Sequence, residues 1–572
     1  MFVIEANGQK LEAAKGETIL QALRRGGVHV PTLCHMEGLL PSGTCRMCVV
    51  EVEGFGGLVP SCSHPVAEGM VIRTRTPQVL ATRKMIVELL LNNHPDDCLY
   101  CARNGNCDLA QLAREHGVRD RLFRGPRTPR PKDMSSPALV RDPDKCILCG
   151  KCVRVCEEIQ GVAAIDFINR GSKAFVGTAF DQGLNVSSCI NCGQCILACP
   201  TAALTERSHV AEVMRALADP AKTVVVQHAP AVSVTIAEEF GFEPGVDFDG
   251  KMVAALRRAG FARVFDTSFA ADLTIMEEGS ELVKRVTGGG ALPMFTSCSP
   301  GWIKFVEQFY PEFRGNLSTC KSPQQMMGAV VKTFYAKQAG LDPADIVSVS
   351  IMPCTAKKFE AARPEMGRDR TSDVDYVLTT RELAELFRIT GVDPAAQAPE
   401  TADTPFGERS SAGKLFGASG GVMEAAVRSA YFLITGGEMP DYRIEDLRGM
   451  QGCKELRVKV GDLEIGAVVS SLGQARRLME EIRAGRSDLH FVEVMTCPGG
   501  CINGGGQPLG ADLAAVKARM GALYSIDRDD SLRVSHRNEE VQRLYREFLG
   551  EPLGPLSHEL LHTHYEQREV LA

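Results

Sequence analysis

No stretch of the 572 residues approaches 18 consecutive apolar side chains, so no transmembrane helix is expected. The opening residues, Met1-Phe2-Val3-Ile4-Glu5-Ala6-Asn7-Gly8, carry no basic segment followed by a long apolar one. No secretory leader is read, and a cytoplasmic protein is expected. Positive charge is not in excess: 64 Lys and Arg against 71 Asp and Glu leave a net charge of −7. That balance gives no electrostatic reason for nucleic-acid binding. No Gly-x-Gly-x-x-Gly fingerprint sits between a strand and a helix, so a nicotinamide would have to bind elsewhere. Tryptophan occurs once, at Trp302, and reads as a packing residue.

Cysteine is abundant. Twenty-one cysteines in a chain without a leader are expected to be reduced and to hold metal rather than form disulfides. Fifteen of them lie in the first 200 residues, which suggests small metal-stapled modules ahead of a larger domain. The length suggests about three to five domains, and 44% hydrophobic and 24% charged residues are enough to build ordinary cores.

Residues 1–76 begin with apolar–polar alternation broken at Asn7-Gly8, a hairpin signal, followed by a helical stretch from Thr18 to Arg25 that stops at Gly26-Gly27. Residues 77–118 carry Leu80, Met85, Ile86, Leu89 and Leu90 at helical spacing. Arg124 to Pro137 is a linker candidate. Residues 138–210 hold an internal repeat, Cys-x2-Cys-x2-Cys-x3-Cys, starting at Cys146 and again at Cys189. Over 222–509, expected strands at Val224–Val226, Ile346–Met352 and Phe491–Met495 alternate with helical patterns such as Met252–Arg258, which argues for an α/β domain. Residues 510–572 read as a helical, charged tail.

Cys34, Cys45, Cys48 and Cys62 can wrap a 2Fe–2S rhomb, which needs four thiolates; structural zinc is the alternative. His94, Cys98, Cys101 and Cys107 could hold zinc or a 4Fe–4S cluster. In two-cluster ferredoxins the fourth cysteine of each run serves the other cluster. Cys146, Cys149, Cys152 and Cys199 are therefore assigned to one 4Fe–4S cluster, and Cys189, Cys192, Cys195 and Cys156 to a second. In this order the modules resemble the N-terminal region of the NADH:quinone oxidoreductase large iron–sulfur subunit and of multi-cluster iron-only hydrogenases. The resemblance implies that the histidine-plus-three-cysteine site carries a 4Fe–4S cluster.

The C-terminal half carries Thr296-Ser297-Cys298-Ser299-Pro300-Gly301-Trp302, Met352-Pro353-Cys354-Thr355-Ala356-Lys357-Lys358, and Met495-Thr496-Cys497-Pro498-Gly499-Gly500-Cys501. These resemble the three signatures of the iron-only (FeFe) hydrogenase catalytic domain. The resemblance implies reversible reduction of protons to dihydrogen at an H-cluster, a 4Fe–4S cubane joined to a diiron unit with CO, cyanide and a dithiolate amine. It further implies that Cys354, Cys497 and Cys501 ligate the cubane, with Cys501 bridging, and that Lys357 meets a cyanide. Pro230, Ala231, Gln324, Met352 and Pro353 match positions lining the diiron pocket. The proton relay maps onto Cys298, Glu278, Ser318 and Glu281, with Arg285 at the outer end. Glu278 and Glu281, three apart, would share a helix face.

The chain departs from the family at Ser299, where a second cysteine usually ligates the cubane. Ser299 through oxygen, Cys298 or Cys320 could supply the fourth ligand. Cys453 reads as a small buried hydrophobe, and His558 and His562 as neighbours on a surface helix. The expected fold is multidomain α/β: a ferredoxin-like β-grasp 2Fe–2S domain, a histidine-plus-three-cysteine module, a two-cluster ferredoxin domain, an H-cluster domain and a helical tail. The resemblance implies reduced ferredoxin or a similar carrier as partner, together with maturation proteins. A flavoprotein partner exchanging electrons with NAD(H), or a non-catalytic dihydrogen sensor, is the alternative.

Overall fold

The computed structural model describes residues 1–120, 122–123, 129–368, 370–460 and 463–570. Residues 124–128 of the linker candidate and the last two residues of the tail lie outside them. The remainder of the linker is anchored: Asp133 and Arg141 exchange backbone hydrogen bonds, and Ser136 is buried.

The hairpin expected at Asn7-Gly8 joins Phe2–Ala6 to Gln9–Ala13, with both turn residues at positive φ (51° and 88°). Such a turn matches the twist of the strands it connects. The five-stranded sheet continues through Val71–Arg73, parallel to the first strand, and then Val49–Val52 and Val59–Pro60. The helix Ile19–Arg25 packs Ile19, Leu20 and Leu23 into its core, and Thr18 and Gln21 form a capping box at its start. The helix Pro77–Asn93 forms where its spacing predicts, but Leu80, Met85 and Leu89 are exposed; Val79, Arg83 and Val87 face inward. Arg83 is drawn in because its guanidinium donates to the Val49 carbonyl at 2.8 Å.

The internal repeat is also a repeat of backbone geometry. Leu148 and Asn191 adopt φ of 55° and 61°, and Gly150 and Gly193 adopt 76° and 71°. Each turn aims a backbone N–H at the first sulfur of its run: Leu148 to Cys146 and Asn191 to Cys189, both at 3.4 Å.

Two four-stranded sheets organise the C-terminal half. One is parallel, in the order Arg263–Asp266, Thr223–His228, Ile346–Met352, Tyr376–Thr379. The other runs Met294–Phe295, Phe491–Met495, Leu463–Ser471, Cys453–Val460, with only the last pair antiparallel. The strands expected at Ile346–Met352 and Phe491–Met495 are present with those bounds. Cys453 opens an edge strand and is half-buried rather than buried. Trp302 is fully buried between Phe295 and Phe305. No helix among the described residues is long and apolar enough to cross a membrane.

The tail is clamped by buried charge. Asp527, on the helix Leu513–Asp529, accepts from Arg428, Arg448 and Arg533, while Glu424 shares Arg428 and Arg448. Burial alone would raise the Asp527 carboxyl, but Arg428 and its neighbours hold it well below the usual carboxylate range. Its stabilising contribution is present above the unfolded-state carboxylate pKa and fades as pH falls through that depressed value. Replacing Arg428 by Met leaves two buried acids short of a partner. We expect a loss of about 3–5 kcal/mol in denaturant unfolding at pH 7. A loss below about 1 kcal/mol would mean that Arg448 and Arg533 suffice.

Candidate active site and its electron relay

Parallel strands place their carboxyl ends, where open α/β sheets bind ligands, around one cavity. Ile346–Met352 runs into Pro353-Cys354, Phe491–Met495 into Thr496-Cys497, Met294–Phe295 into the Cys298-Ser299 loop, and Thr223–His228 into Ala229-Pro230-Ala231. The cavity, counted together with the solvent at its mouth, spans about 760 Å³. Cys354, Cys497 and Cys501 line it together with Cys298 and Ser299. Pro230, Ala231, Gln324, Met352, Pro353 and Lys357 line the same space.

Gly500 and Gly504 have no room for a side chain: a Cβ would meet Ser419 N at 2.6 Å from the first and overlap the Pro353 carbonyl from the second. The segment from Cys497 to Gly504 is therefore pressed against its neighbours at both glycines. Burial pushes the Cys501 thiol up to about 12, with the Cys354 charge adding to it. Burial, and then the charges of Cys354, Cys192 and Cys501, also push the Cys497 thiol well up. Thiols so perturbed ionise when a cation takes the protons' place. The Gln324 side-chain oxygen is buried without a protein partner among the described residues. Three convergent sulfurs, an orphaned polar atom and a Cβ-free cradle fit an iron–sulfur cubane with an attached metal unit.

Lys357 is buried and donates to the Cys298 carbonyl at 3.1 Å and to Glu360 at 3.0 Å. Glu360, which sequence reasoning missed, also accepts from Ser322 and Gln324. Its position, three beyond Lys357 on the helix Ala356–Ala361, was the available signal. Glu493 was missed as well: it is buried and accepts from Gly420 N and Met423 N at 2.7 Å, seating the helix Gly421–Thr435 behind the cavity.

Ser299 is the N-cap of Pro300–Phe309, yet its hydroxyl makes no capping bond. It pairs instead with Thr496 Oγ at 2.7 Å, at the cavity wall. Cys320 does not line the cavity. It is buried with its sulfur 3.8 Å from Glu281, which removes it as the fourth cubane ligand.

Glu278 and Glu281 share the helix Thr267–Gly288 and both are buried. Glu278 accepts from Ser297 N at 3.3 Å, and its charge acts on the half-buried Cys298 thiol. The Ser318 hydroxyl donates to Glu281 at 2.8 Å, and Glu278 Oε2 is buried without a hydrogen-bond partner among the described residues. Arg285 donates to Glu281 at 2.6 Å.

The remaining cysteine sites adjoin one another. Cys34, Cys48 and Cys62 are buried and Cys45 is half-buried. His94 is buried, Cys101 and Cys107 half-buried and Cys98 exposed. Lys145, not anticipated from sequence, reaches from the ferredoxin repeat to Asp97 at 2.8 Å and to Cys101. Cys45, Cys107 and Ile147 pack against one apolar cluster around Met47, Val87 and Leu109. Two cavities of about 450 Å³ follow: one lined by Cys146, Cys149, Cys152 and Cys199, the other by Cys156, Cys189, Cys192 and Cys195. The second abuts the active-site loops, where Thr355 Oγ donates to Asn191 O at 2.6 Å and Gln194 donates to Asn503 O at 2.8 Å.

Residues 222–505 match the family described as iron only hydrogenase large subunit, C-terminal domain, and residues 513–568 the iron hydrogenase small subunit. A 2Fe–2S cluster binding domain matches 1–77, an NADH-ubiquinone oxidoreductase-G iron–sulfur binding region 83–121, and a 4Fe–4S dicluster domain 145–203. The chain is 46% identical to the NADP-reducing hydrogenase subunit HndD of Solidesulfovibrio fructosivorans over the whole of both proteins. The chain belongs to the iron-only hydrogenases. Iron hydrogenase 1 of Clostridium pasteurianum is 40% identical over 99% of this chain and 100% of that protein. A solved variant of the FeFe-hydrogenase HydA1 from Chlamydomonas reinhardtii aligns with TM-score 0.58 and 42% identity, over 64% of this chain and 100% of that one. This hydrogenase interconverts protons and dihydrogen, and iron–sulfur domains of 2Fe–2S and 4Fe–4S type precede its catalytic domain.

Burial, then the Glu281 charge, pushes the Glu278 carboxyl up to about 8, so it can both hold and release a proton near neutrality. The folded-state pKa exceeds the unfolded one, so this carboxyl lowers stability as pH climbs from about 4.5 toward 8. In Glu278→Gln we expect turnover to fall by about 10²-fold or more, and the thermal midpoint to decline less between pH 5 and pH 8 than in the native protein. Unchanged turnover would remove Glu278 from proton transfer.

Proposed function

We propose that this hydrogenase takes electrons from reduced ferredoxin or a similar carrier at its N-terminal modules and passes them through four clusters to the H-cluster. The observation that carries this reading is the unbroken series of cysteine sites from Cys45 to Cys354, each packed against the next. Cys34, Cys45, Cys48 and Cys62 would hold the 2Fe–2S cluster. His94, Cys98, Cys101 and Cys107 would hold the first 4Fe–4S cluster, where a neutral imidazole in place of a thiolate raises the potential. The two ferredoxin-type 4Fe–4S clusters take Cys146, Cys149, Cys152 and Cys199, then Cys189, Cys192, Cys195 and Cys156. The corresponding division of the chain is 1–76, 77–118, 138–210, 222–509 and 510–572. The cytoplasm, where thiols stay available to metal, is the compartment that fits this reading, with maturation proteins supplying the diiron unit.

At the active site Cys354, Cys497 and Cys501 would hold the cubane, with Cys501 bridging. Ser299 is our choice for the fourth ligand, supported by its uncapped hydroxyl and its Thr496 partner. That leaves Cys298, beside Glu278 and Lys357, free to carry protons. When bound, the H-cluster supplies the metal on which protons and electrons combine. Lys357 offers an ammonium to an anionic ligand in a site shielded from water, held in place by Glu360. The Gln324 oxygen faces the same space. Protons pass among Cys298, Glu278, Ser318 and Glu281.

A second reading is favoured by the full-length match to an NADP-reducing hydrogenase subunit. In it, the chain is one subunit of a complex whose flavoprotein partner handles the nicotinamide.

Infrared spectroscopy of anaerobically matured protein under dihydrogen, with turnover assayed against reduced ferredoxin and against NAD(P)H, tests these readings. CO and cyanide bands with ferredoxin-dependent turnover are expected. Turnover only with NAD(P)H and a copurified flavoprotein would favour the second reading, and bands without turnover would indicate a dihydrogen sensor. For Ser299→Cys, replacing a hard alkoxide by a soft thiolate should raise the cubane midpoint potential and alter its electron paramagnetic resonance spectrum. An unaltered spectrum and potential would exclude Ser299 as a ligand.

A further inference from the structure

The cavity lined by Cys156, Cys189, Cys192 and Cys195 is covered by a helix of the catalytic domain. Pro300–Phe309 starts beside Ser299, on the wall of the active-site cavity, and its Trp302, Ile303, Phe305 and Val306 share one core with Cys189 and Ile190. Gln308 donates to the Ser187 carbonyl at 3.4 Å, and the Ser187 hydroxyl accepts from Cys189 N at 3.2 Å. Lys304 stands four residues before Gln308, on the same face of the helix. The four thiols fit an iron–sulfur cluster: Ala164 N and Asn191 N aim at the Cys156 and Cys189 sulfurs at 3.3 and 3.4 Å, as thiolate ligands require.

Lys304 is only 4% exposed, and its ammonium lies 4.9 Å from the centre of the Phe359 ring. Among the described residues it has no ion-pair partner. Glu307, the one acid on its helix, is taken by Arg363 and Arg568 at 2.6 Å each. A buried ammonium without a carboxylate is costly unless another anion faces it. The strongest charge acting on the Cys189 thiol is that of Lys304, and the strongest acting on Lys304 is that of Cys189, each favouring the other's ionised form against burial. A second donor comes from the ferredoxin repeat itself. Gln160 is 1% exposed, and its Nε2 donates to Cys192 Sγ at 3.6 Å.

We propose that the Lys304 ammonium and the Gln160 N–H raise the potential of the cluster at Cys156, Cys189, Cys192 and Cys195, so that an electron rests beside the active-site loops before it moves on. The proposal rests on the assignment of those four cysteines to a 4Fe–4S cluster. Such a cluster is anionic, and one added electron makes it more so. A buried cation and an N–H donor on its sulfurs therefore stabilise the reduced form more than the oxidised one. One electron arrives from the neighbouring ferredoxin-type cluster and one leaves for the active site; no bond changes and neither side chain gains or loses a proton. Both residues act through cysteine ligands and not on the reacting atoms.

The test is a redox titration followed by electron paramagnetic resonance, on the full chain with its iron–sulfur clusters loaded and no diiron unit. The spectral component lost in Cys195→Ala marks the cluster concerned. In Lys304→Met its reduced-to-oxidised ratio at fixed potential should drop about tenfold, a fall of about 59 mV in the one-electron midpoint, while the other components stay in place. Lys304→Arg keeps the charge and should keep the native midpoint. Gln160→Leu should lower the same midpoint by a smaller amount. A native midpoint in K304M, or an equal fall in K304M and K304R, would overturn the role of the Lys304 charge, and a native midpoint in Q160L that of Gln160. If C195A loses neither a component nor iron, the cluster assignment fails, whatever the lysine does. Should K304M not hold its full complement of iron, Lys304→Gln carries the test: the same fall is expected, and a native midpoint overturns the proposal.

Discussion

The close packing of the second ferredoxin-type cysteine site on the active-site loops depends on two glycines that meet backbone to backbone. A Cβ on Gly505 would overlap the Cys192 carbonyl and lie 2.6 Å from Gly193 Cα, and one on Gly193 would lie 3.1 Å from Gly505 Cα. Gly193 also needs the left-handed turn that starts the second ferredoxin helix. Any side chain there would force the last relay site and the Cys354 loop apart. Electron transfer needs that proximity, and the Asn191–Thr355 and Gln194–Asn503 hydrogen bonds hold it once the backbones touch.

Around the cavity the same low-dielectric interior acts in two ways. It raises the buried thiols, so that they hold protons until metal replaces them. It also raises Glu278 into the range where a carboxyl exchanges protons near neutral pH, whereas Asp527, equally removed from water but flanked by three arginines, stays ionised. The contrast is between two buried acids: Asp527 is surrounded by guanidinium groups, and Glu278 is left with one backbone N–H.

The tail belongs to this arrangement. Its first helix is locked by the Asp527 arginines, and its last turn brings His562, buried rather than on the surface helix expected from sequence, within 4.8 Å of Glu281 and Cys320. Cys320, weighed from sequence as a cubane ligand, sits at that junction and not at the cavity.

What the sequence determined by itself was whatever one loop or one periodic segment carries: the cysteine runs, the Asn7-Gly8 hairpin, the strands Ile346–Met352 and Phe491–Met495, and the three hydrogenase signatures with the residues beside them. Short spacing constrains atoms that are already neighbours along the chain, so those features were legible without a fold. The tertiary structure alone decided which distant segments meet. It brought Ser299 to Thr496, 197 residues away, paired Glu277 with His562, 285 residues away, and fixed the Arg285 donors on backbone carbonyls. It also turned Leu80, Met85 and Leu89 outward on a helix whose periodicity says nothing about which face is covered. Those outcomes depend on closing long loops around buried polar groups that must each find a partner. Local pattern carries no record of that requirement.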